Sequence, residues 1–538
     1  MQVIGETVSL CPKCVDEKNF AEMTVKAIVY VEDGKVKIKK TCPKHGEFID
    51  DYWEDYEMYK KAQKYADEKG IVLENPEITK PKEEIKCPND CGLCSLHMSH
   101  TNLANIVVTN RCDLSCWYCF FYAKKGEPIY EPSLEQFREM FRRLKNQKPV
   151  PCNAVQLTGG EPTVRDDLIE IVKMAKEEGF DHVQVNTNII NISKDPELAK
   201  KLVEAGANVF YVSFDGMTPE SNIKNYWEFP KALENFRKAK AGIVLVPTVI
   251  RGVNDDQLGD IVRFAAGNID VVRGIVFQPV SLVGMMPKEE RAKQRITIPE
   301  VIKRIEEQTD GQIGKEDFYP IPISTVVSDF IQALRGTTKP VYRLSAHFAC
   351  GMATYIFKDG DKLIPVTRFI DVDGLYEFLK EETEKINNGR SRLLAKLDLL
   401  FALRKFIDKD KKPKSLSFRK MLMEALAGGS YDSLRSFHHS SLFIGMMHFM
   451  DPYNYDVERV KRCVIHYVMA DGRVVPFCAF NVIPELYRDK VQREYSMSVE
   501  EWEKRTGKKF GYEKYVRKKL SPEEEKKIHE FYAQYKKH

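Results

Sequence analysis

Short runs of Val, Ile and other apolar residues alternate with longer amphipathic segments in the first half of the chain. Helical spacing of apolar residues is seen at Leu134–Leu144, Asp167–Glu178 and Asp195–Ala205. The apolar runs between such segments are 104–109, 153–158, 182–187, 208–213, 243–249 and 274–279. Runs that are apolar on both faces are typical of buried parallel strands, and strand–helix repeats imply right-handed crossovers. The pattern therefore predicts an α/β fold with six such units.

Patterns on either side of this region predict further elements. Strand patterns lie around Met23–Val31 and Lys35–Lys40, and a helical pattern covers Tyr56–Lys69. Beyond residue 290 the chain is helical and less regular, but it contains strand–turn–strand patterns at Tyr355–Val366 and Ile465–Val475. We therefore expect smaller units to flank the central α/β unit.

Composition narrows the class of protein. The chain has 538 residues, of which 43% are hydrophobic and 30% charged, and this length predicts two to four domains. Its 83 basic and 79 acidic residues give a net charge of +4, too small to indicate nucleic-acid binding. No apolar run is long enough to span a bilayer, and no signal peptide is visible at the amino terminus.

The cysteines and the carboxyl terminus add two expectations. Thirteen cysteines, most of them bunched in short motifs, indicate metal ligands in a reducing compartment, and hence a cytoplasmic protein. The chain from Lys504 onward is basic. Such a tail is usually the solvated face of a helix, but it could also meet anionic headgroups.

Three cysteines in a loop after the first apolar run carry the strongest chemical signal. Cys112, Cys116 and Cys119 form a C-x3-C-x2-C motif. Three thiolates can hold three irons of a cubane and leave the fourth iron open to a small molecule. The alternatives are a zinc knuckle, which usually has two C-x2-C or C-x2-H halves, or three unrelated buried cysteines.

A second motif follows the next apolar run. The sequence Thr158-Gly159-Gly160-Glu161-Pro162 places two glycines and a proline at the end of a predicted strand. Glycines there would let the backbone approach a ligand, and Glu161 could accept from an ammonium group. Taken by itself this is a common turn, and only its pairing with the cysteine loop is specific.

Together with Asn186-Thr187-Asn188 and Ser213-Phe214-Asp215-Gly216, these motifs resemble those of the radical S-adenosylmethionine (SAM) superfamily, in the same order. The resemblance implies a partial (β/α)6 TIM-like barrel over residues 104–290, with ligands at the carboxyl ends of its strands. It implies a SAM-binding [4Fe–4S] cluster on the cysteine loop and a 5′-deoxyadenosyl radical that removes hydrogen from an unactivated carbon. The residues expected to bind SAM are Gly159, Gly160, Glu161, Asn186, Asn188, Ser213, Asp215 and Gln278.

The amino-terminal region reads as a small metal-binding ribbon, residues 1–60. Cys11 and Cys14 form one knuckle, and Cys42 and His45 form the other, on either side of the predicted strands. A Cys3His set predicts a tetrahedral site for zinc or for one rubredoxin-like iron. A structural role is favoured, because the region is too small to fold without a staple.

Six further cysteines predict additional metal sites. Residues 61–103 contain Cys87, Cys91 and Cys94, a second C-x3-C-x2-C motif and thus an auxiliary iron–sulfur site, with His97 or His100 as a less favoured fourth ligand. Cys350, Cys463 and Cys478 lie beside the predicted hairpins of residues 291–500 and resemble the auxiliary-cluster domains that follow many radical SAM barrels. The alternative is that Cys350 is a core thiol and that Cys463 and Cys478 form a small zinc site.

An apolar insertion separates Cys350 from Cys463. One helical stripe consists of Leu393, Leu394, Leu397, Leu400, Phe401 and Leu403, and denser apolar runs follow at 421–426 and 437–450. Stripes of this kind usually pack a core. A run rich in Met and Phe beside lysines would also suit a channel for long alkyl chains with anionic headgroups.

The whole chain resembles the archaeal tetraether synthases and their relatives, the pterin methylases. The first resemblance implies a carbon–carbon bond between the ends of two isoprenoid ether lipid chains, and the second implies C-methylation of a pterin or lipid. The resemblance to these families further implies up to three [4Fe–4S] clusters and one mononuclear iron or zinc. It also implies a low-potential electron donor such as ferredoxin and peripheral contact with the inner face of the membrane. An α+β auxiliary domain and a basic helical tail, residues 501–538, would complete the molecule. A reading from another class is an electron carrier, which would need no open iron.

Overall fold

The amino-terminal ribbon is a four-stranded antiparallel meander in this computed structural model, which describes residues 1–121, 128–413 and 441–537. Its strands are β1 (Gln2–Leu10), β2 (Thr24–Glu32), β3 (Lys35–Cys42) and β4 (Gly46–Trp53). Asp33 and Gly34 both have positive φ, which suits the tight turn between β2 and β3. The short helix α1 (Pro12–Asp16) follows β1, and α2 (Tyr56–Lys64), capped by the carboxylate of Asp55, follows β4.

Six parallel strands, hydrogen-bonded in chain order, form the centre of the molecule and confirm the predicted (β/α)6 unit. They are β5 (Leu103–Thr109), β7 (Ala154–Gly159), β8 (His182–Thr187), β9 (Val209–Ser213), β10 (Gly242–Val246) and β12 (Val272–Pro279). The short strands β6 (Ile129–Tyr130) and β11 (Thr248–Val249) lie beside them. No residue of the six parallel strands is exposed and most are fully buried, as the continuous apolar runs predict.

The helices between these strands cover the outer face. They are α3 (Leu134–Lys145), α4 (Leu168–Glu177), α5 (Ile190–Lys194), α6 (Leu198–Ala205), α7 (Phe229–Lys238) and α8 (Leu258–Gly267). Ser133 and Gln136 make a reciprocal capping box at the start of α3, which explains why that helix begins where its apolar pattern does. Of these helices, α3, α4 and α6 agree with the three predicted segments to within a few residues.

The carboxyl-terminal region extends the barrel sheet at both of its edges. Beyond β12 lie β16 (Leu442–Met447), parallel to it, then the antiparallel β14 (Gly351–Asp359) with the short β13 (Tyr319–Pro320) and β15 (Lys362–Pro365). At the other edge β17 (Ile465–Val468) is parallel to β5, and β18 (Val474–Pro476) is antiparallel to β17. The predicted hairpins are thus present, and they continue one mixed sheet of an α/β fold.

The remaining elements are mostly helical. The longer ones are α10 (Ile298–Gln308), α11 (Thr325–Arg335), α12 (Val372–Asn387) and α13 (Arg392–Lys405), after the short α9 (Arg291–Gln294). The last part of the chain contains α14 (Val457–Lys461), α15 (Phe477–Val482), α16 (Arg488–Tyr495), β19 (Ser496–Met497), α17 (Val499–Thr506) and α18 (Pro522–Ala533). Single 3-10 turns occur at Lys82–Glu84, Pro162–Val164, Lys315–Asp317, Ile321–Ser324, Val366–Arg368 and Pro484–Leu486.

The apolar insertion only partly packs a core. Ala395 and Leu399 of α13 are buried, but Leu393 is 69% and Phe401 67% exposed, with Leu394 and Leu397 exposed as well. The apolar runs at 421–426 and 437–440, together with Lys414, lie outside the described residues. Within the described ranges, no helix combines the length and the apolarity needed to cross a bilayer.

The basic tail lies against the barrel. Trp502 of α17 and Tyr532 of α18 are almost completely buried, and the Tyr532 ring stacks on Tyr226 at 4.3 Å between centroids. Several of its cations pair with barrel carboxylates, including Lys508 with Asp166. The tail therefore buries its aromatic residues against the barrel, while most of its lysines are exposed to solvent.

Candidate functional site

The predicted SAM-site residues meet at one edge of the sheet. The cysteine loop follows β5, and Gly159 is the last residue of β7. Asn186 and Gln278 are the next-to-last residues of β8 and β12, and Ser213 is the last residue of β9. Since the strands are parallel, these ends lie on one side of the barrel. Asn188 and Asp215 occupy the loops just beyond β8 and β9 and are buried.

The three cysteines of the loop are half-buried and electrostatically linked. Burial, then the nearby carboxylates of Asp113 and Glu161, raise the pKa of Cys112 well above its usual value. Burial also raises the pKa of Cys116 to about 11. Thiols that are hard to ionise by themselves are stabilised as thiolates when they ligate iron. The donor set therefore suits a metal cluster better than a free nucleophile.

The two glycines of the second motif serve the packing of the backbone. Gly159 has φ of +136°, and a Cβ there would lie 2.2 Å from the carbonyl oxygen of Thr109. A Cβ on Gly160 would lie 2.0 Å from the carbonyl oxygen of Arg111. The amides of Gly160 and Glu161 donate to those two carbonyls. The two glycines thus allow close packing against the neighbouring strand and the cysteine loop, which fixes the loop to the end of β7.

The carboxylate of Glu161 lies at the centre of a buried hydrogen-bond network. It accepts from the hydroxyls of Thr163 and Thr187, at 2.6 and 2.7 Å, and from the amide of Asn188 at 2.7 Å. Burial, then the charge of Asp113, raise its pKa to about 7. The sequence predicted an ammonium partner for Glu161. Here its first task is to tie the ends of β7 and β8 together.

Asp113 is a carboxylate of this site that the sequence analysis missed. Its Oδ1 accepts from the side-chain Nδ2 of Asn188 at 2.6 Å, whereas its buried Oδ2 has no hydrogen-bond partner among the described residues. An unpaired buried carboxylate oxygen beside Cys112 favours a cationic ligand. Its place inside the cysteine motif was the signal that could have identified it.

Lys224 is a second missed residue. Its ammonium lies 3.0 Å from Oδ2 of Asp215 and over the ring of Tyr118, whose hydroxyl donates to the same oxygen at 2.7 Å. Burial alone would lower the pKa of Lys224, but Asp215 and the thiolate of Cys116 raise it above its usual value. A cation is therefore held beside the cysteine loop. No pattern in the sequence marked it.

Residues 507–521, here called the carboxyl-terminal strap, cross the cysteine loop. Lys514 donates to the carbonyl of Cys112, and the amide of Tyr515 donates to that of Asp113 at 3.0 Å. Arg517 and the hydroxyl of Tyr515 both bind the carboxylate of Glu228. The strap therefore fixes the backbone that carries the first cysteine, from a point some 400 residues away in sequence.

The ribbon residues converge on a compact metal site. Among the described residues, the only group of three or more potential ligands with atoms all within 4.8 Å of one another is Cys11, Cys14, Cys42 and His45. Nδ1 of His45 lies 3.4 Å from the sulfurs of Cys11 and Cys14, while its Nε2 faces Glu17 at 3.1 Å. A carboxylate on the outer nitrogen of a ligating histidine is the arrangement that fixes such a ligand. These residues fit a single tetrahedral ion.

The two predicted auxiliary sets adjoin each other. A hydrogen bond from Cys87, burial, and the charges of Cys94 and Cys463 raise the pKa of Cys91 well above its usual value. Burial, then the charges of Cys478 and Cys350, raise the pKa of Cys463. Cys463 therefore borders both sets, and the six thiols share one buried region, here called the cysteine chamber.

The candidate histidine ligands are already engaged. Nε2 of His97 faces Nε2 of His466 at 3.0 Å and the carbonyl of Cys463 at 2.9 Å, and burial lowers its pKa to about 4. His100 accepts from the amide of Arg343 through Nε2. Neither contact needs a metal, so both histidines fit a packing role at the edge of the chamber.

The fold and the site define a radical SAM protein. Six parallel strands pair in chain order, a cysteine loop follows the first, and a Gly-Gly-Glu turn follows the second. The family model of the radical SAM superfamily matches residues 106–265, and that of the HMPTM N-terminal zinc ribbon domain matches residues 3–54. The chain is 45% identical over 509 residues to the 7,8-dihydro-6-hydroxymethylpterin dimethyltransferase of Methanocaldococcus jannaschii, spanning 93% of this chain and 97% of that protein. It belongs to the radical SAM superfamily, in the family of this archaeal protein.

Other relatives match the barrel alone. The chain is 34% identical over 188 residues to a GTP 3′,8-cyclase of Limosilactobacillus fermentum, covering 32% of this chain and 54% of the cyclase. The structure of Streptococcus suis SuiB bound to S-adenosylmethionine has a TM-score of 0.32 and 17% identity, over 39% of this chain and 47% of SuiB. The radical SAM expectation is confirmed. The full-length relative bears the name of a pterin methylase and not that of a tetraether synthase.

Proposed function

We propose that this protein is a radical SAM methylase that acts on a carbon of a pterin or a similar compact heterocycle. The observation that carries the proposal is the 45% identity to a pterin dimethyltransferase along 97% of that protein, ribbon included. Bound S-adenosylmethionine supplies, after one-electron reduction, a 5′-deoxyadenosyl radical that can take hydrogen from an unactivated carbon.

The protein's own residues are assigned to holding and orienting these groups. Cys112, Cys116 and Cys119 would hold three irons of a [4Fe–4S] cluster, and the unpaired Oδ2 of Asp113 suits the ammonium of SAM. Glu161, bound by Thr187 and the amide of Asn188, would orient that region. The contacts proposed for the rest of the SAM pocket are those of Gly159, Gly160, Asn186, Asn188, Ser213, Asp215 and Gln278.

The other cysteines are assigned to electron transfer and to structure. The cysteine chamber offers six thiols in a buried region, which suits one or two auxiliary [4Fe–4S] clusters. The ribbon set suits one zinc or iron ion. A radical SAM enzyme needs an electron donor, and we propose a ferredoxin-like reductant for this role.

A second candidate is the coupling of isoprenoid ether lipids at their chain ends, with peripheral membrane contact. One observation favours it. The exposed apolar side chains of α13, which are Leu393, Leu394, Leu397 and Phe401, lie on one helix that a compact polar substrate would not need. Exposed patches of this kind mark contacts with lipid or with other proteins.

One anaerobic experiment separates the two candidates. The reconstituted protein is incubated with SAM, a reductant and either 6-hydroxymethyl-7,8-dihydropterin or an archaeal diether lipid, and the products are analysed by mass spectrometry. We expect the pterin to gain methyl groups and the lipid to be unchanged. Lipid products with two hydrogens fewer for every bond formed would replace the first proposal by the second.

Two variants sharpen the result. Cys112→Ala should abolish SAM cleavage with either substrate, because one iron loses its ligand. Substituting Leu393, Leu394 and Phe401 by Gln should leave pterin methylation unchanged, since these side chains face solvent. A loss of activity confined to the lipid would show that α13 handles that substrate.

A further inference from the structure

Tyr455 has a buried hydroxyl group without a partner. Its side chain is completely buried, and the hydroxyl is the only tyrosine hydroxyl among the described residues that is buried and makes no hydrogen bond. Native structures rarely leave such a group unsatisfied, because burial removes its bonds to water. The hydroxyl therefore indicates that something further occupies the space it faces.

The backbone on both sides of Tyr455 is held by hydrogen bonds, and its ring is enclosed by the core. Its carbonyl accepts from the hydroxyl of Ser9 at 2.5 Å, and the next residue, Asp456, accepts from Tyr52 at 2.7 Å. The preceding residue, Asn454, accepts from the amide of Asp451 at 2.8 Å. The ribbon and the loop after β16 thus fix the backbone that carries the buried Tyr455 side chain.

Tyr455 packs in the same part of the core as the cysteine chamber. Tyr455 belongs to the same hydrophobic cluster as Cys91 and Cys478, with Cys87 and Cys463 packed against it. Burial, then the charges of Cys91, Cys87 and Cys478, raise the pKa of Tyr455 well above its usual range. The unpaired hydroxyl therefore has the cysteine chamber as its neighbour, and a cluster held there would offer it sulfur acceptors.

A buried cation at the same chamber points to negative charge within it. Arg459 is 2% exposed and donates to the sulfur of Cys350 at 3.4 Å and to the carbonyl of His448 at 2.5 Å. Among the described residues it has no carboxylate within ion-pair distance. A buried guanidinium without an acidic partner is costly unless it meets another anion. An iron–sulfur cluster with thiolate ligands would supply both that charge and acceptor sulfurs.

We propose that the Tyr455 hydroxyl donates a hydrogen bond to a sulfur of an auxiliary iron–sulfur cluster held by cysteines of this chamber, and thereby raises the reduction potential of that cluster. The inference rests on the auxiliary clusters of the proposed function and goes beyond them by assigning a residue that tunes one. Hydrogen bonds to cluster sulfurs withdraw electron density and stabilise the reduced state.

The test measures potentials in a protein that lacks the SAM cluster. In a background with Cys112, Cys116 and Cys119 changed to Ala, the remaining clusters are titrated and followed by electron paramagnetic resonance. Tyr455→Phe should shift the reduction equilibrium of one cluster at least tenfold toward the oxidised form, which is about 59 mV for a one-electron couple. The matched control is Tyr467→Phe, a buried tyrosine of the same hydrophobic cluster whose ring stacks on Phe480 at 3.8 Å between centroids.

The outcomes separate this inference from the function on which it rests. If the background protein binds iron only at the ribbon, the auxiliary clusters are refuted. If the clusters are present but Tyr455→Phe leaves every potential unchanged, or Tyr467→Phe shifts one equally, the contact is refuted. Electron–nuclear double resonance of the background protein with Tyr455 intact gives a second check, which holds even if the variant fails to fold. An exchangeable proton coupled to a reduced cluster is expected, and its absence would overturn the proposal.

Discussion

Lys224 brings a positive charge to the cysteine loop through a buried neighbour. Its ammonium, the hydroxyl of Tyr118 and the amide of Thr248 all bind the Asp215 carboxylate, which is 1% exposed. The thiolates of Cys116 and Cys119 lie near enough to affect its protonation. A cation in this position stabilises added electrons on the proposed cluster.

Lys224→Met keeps the length of the side chain and removes this charge. We expect the potential of the SAM cluster to become more negative, and the free energy of unfolding to fall by about 1–3 kcal/mol, because Asp215 loses a buried partner. A redox titration and thermal unfolding measure the two effects. Lys201→Met, an exposed lysine of α6, is the control and should change neither. An unchanged potential in the Lys224 variant would show that its charge is not felt at the cluster.

Among the individual residues of the site, those that lie in short sequence motifs could be predicted, and those that come from distant segments could not. Cys112, Gly159 and Glu161 lie in short motifs, and the structure places them together at the strand ends. Lys224 and Lys514 reach the same loop from distant segments with no recognisable pattern around them. Contacts of this kind depend on tertiary packing, which local residue spacing does not encode.

Among the elements, the carboxyl-terminal strap is the one with the clearest functional consequence. It holds the carbonyls of Cys112 and Asp113 and is itself anchored by Tyr515 and Arg517 on the buried Glu228. Trp502 adds an anchor through its bond to Glu131 at 3.1 Å. The strap therefore limits the motion of the loop that presents the proposed cluster ligands.

Removing the anchor should weaken retention of the cluster. For a Tyr515→Phe, Arg517→Ala double variant we expect faster loss of iron from the SAM site during dilution or exposure to a chelator, with the other iron retained. Iron content against time and the SAM-dependent change in the cluster spectrum measure this. Lys518→Ala and Lys519→Ala, two exposed neighbours, form the control. Equal rates of iron loss from the Tyr515/Arg517 variant and the Lys518/Lys519 control would show that the strap has no part in holding the loop.

The ribbon offers a prediction about metal affinity. Glu17 contacts the outer nitrogen of His45, and such partners typically change metal affinity by about 10–100-fold. Glu17→Ala should therefore weaken binding of the ribbon metal by about that factor in a chelator competition, whereas Cys42→Ser should remove the metal. Glu22→Ala, an exposed acid of the same loop, is expected to leave the affinity unchanged. If Glu17→Ala behaves like this control, the contact has no influence on the metal.

The elements also show where periodicity was insufficient. The six barrel strands were predicted because each is a continuous apolar run followed by an amphipathic helix. That β16 and β17 extend the same sheet at opposite edges was not predicted, since the pairing partner of a strand is not encoded in its own residues. The exposed face of α13 likewise differs from the core packing that an apolar stripe usually indicates.

At the scale of the whole molecule, one buried ion-pair network joins three parts of the chain. Arg295, which follows α9, binds both oxygens of Asp451 at 2.6 and 3.1 Å and contacts Asp50 of β4 at 3.1 Å. Asp451 lies in the loop after β16, next to the cysteine chamber, and also accepts from the amides of Leu282 and Tyr453. The network therefore fixes the ribbon and the chamber to the barrel.

This network predicts the acid sensitivity of the assembly. Burial would raise the pKa of Asp451, but Arg295 and the two amides hold it at about 2, below the value of about 3.9 for an unfolded chain. A carboxyl whose pKa is lowered by folding stabilises the protein above the unfolded pKa and loses that effect as the pH falls toward the folded one. Stability on the order of 2–3 kcal/mol should therefore disappear between about pH 4 and pH 2.

Asp451→Asn tests the size and the sign of this effect. At pH 7 the variant should lose about 2–4 kcal/mol, because Arg295 stays buried with Asp50 as its remaining acid, and its stability should fall less steeply between about pH 4 and pH 2. Unfolding midpoints measured across this range provide both quantities. Asp270→Asn removes an exposed partner of Arg237 and should cost no more than about 1 kcal/mol. Equal losses in the two variants, with parallel pH profiles, would mean that Arg295 does not hold the three parts together.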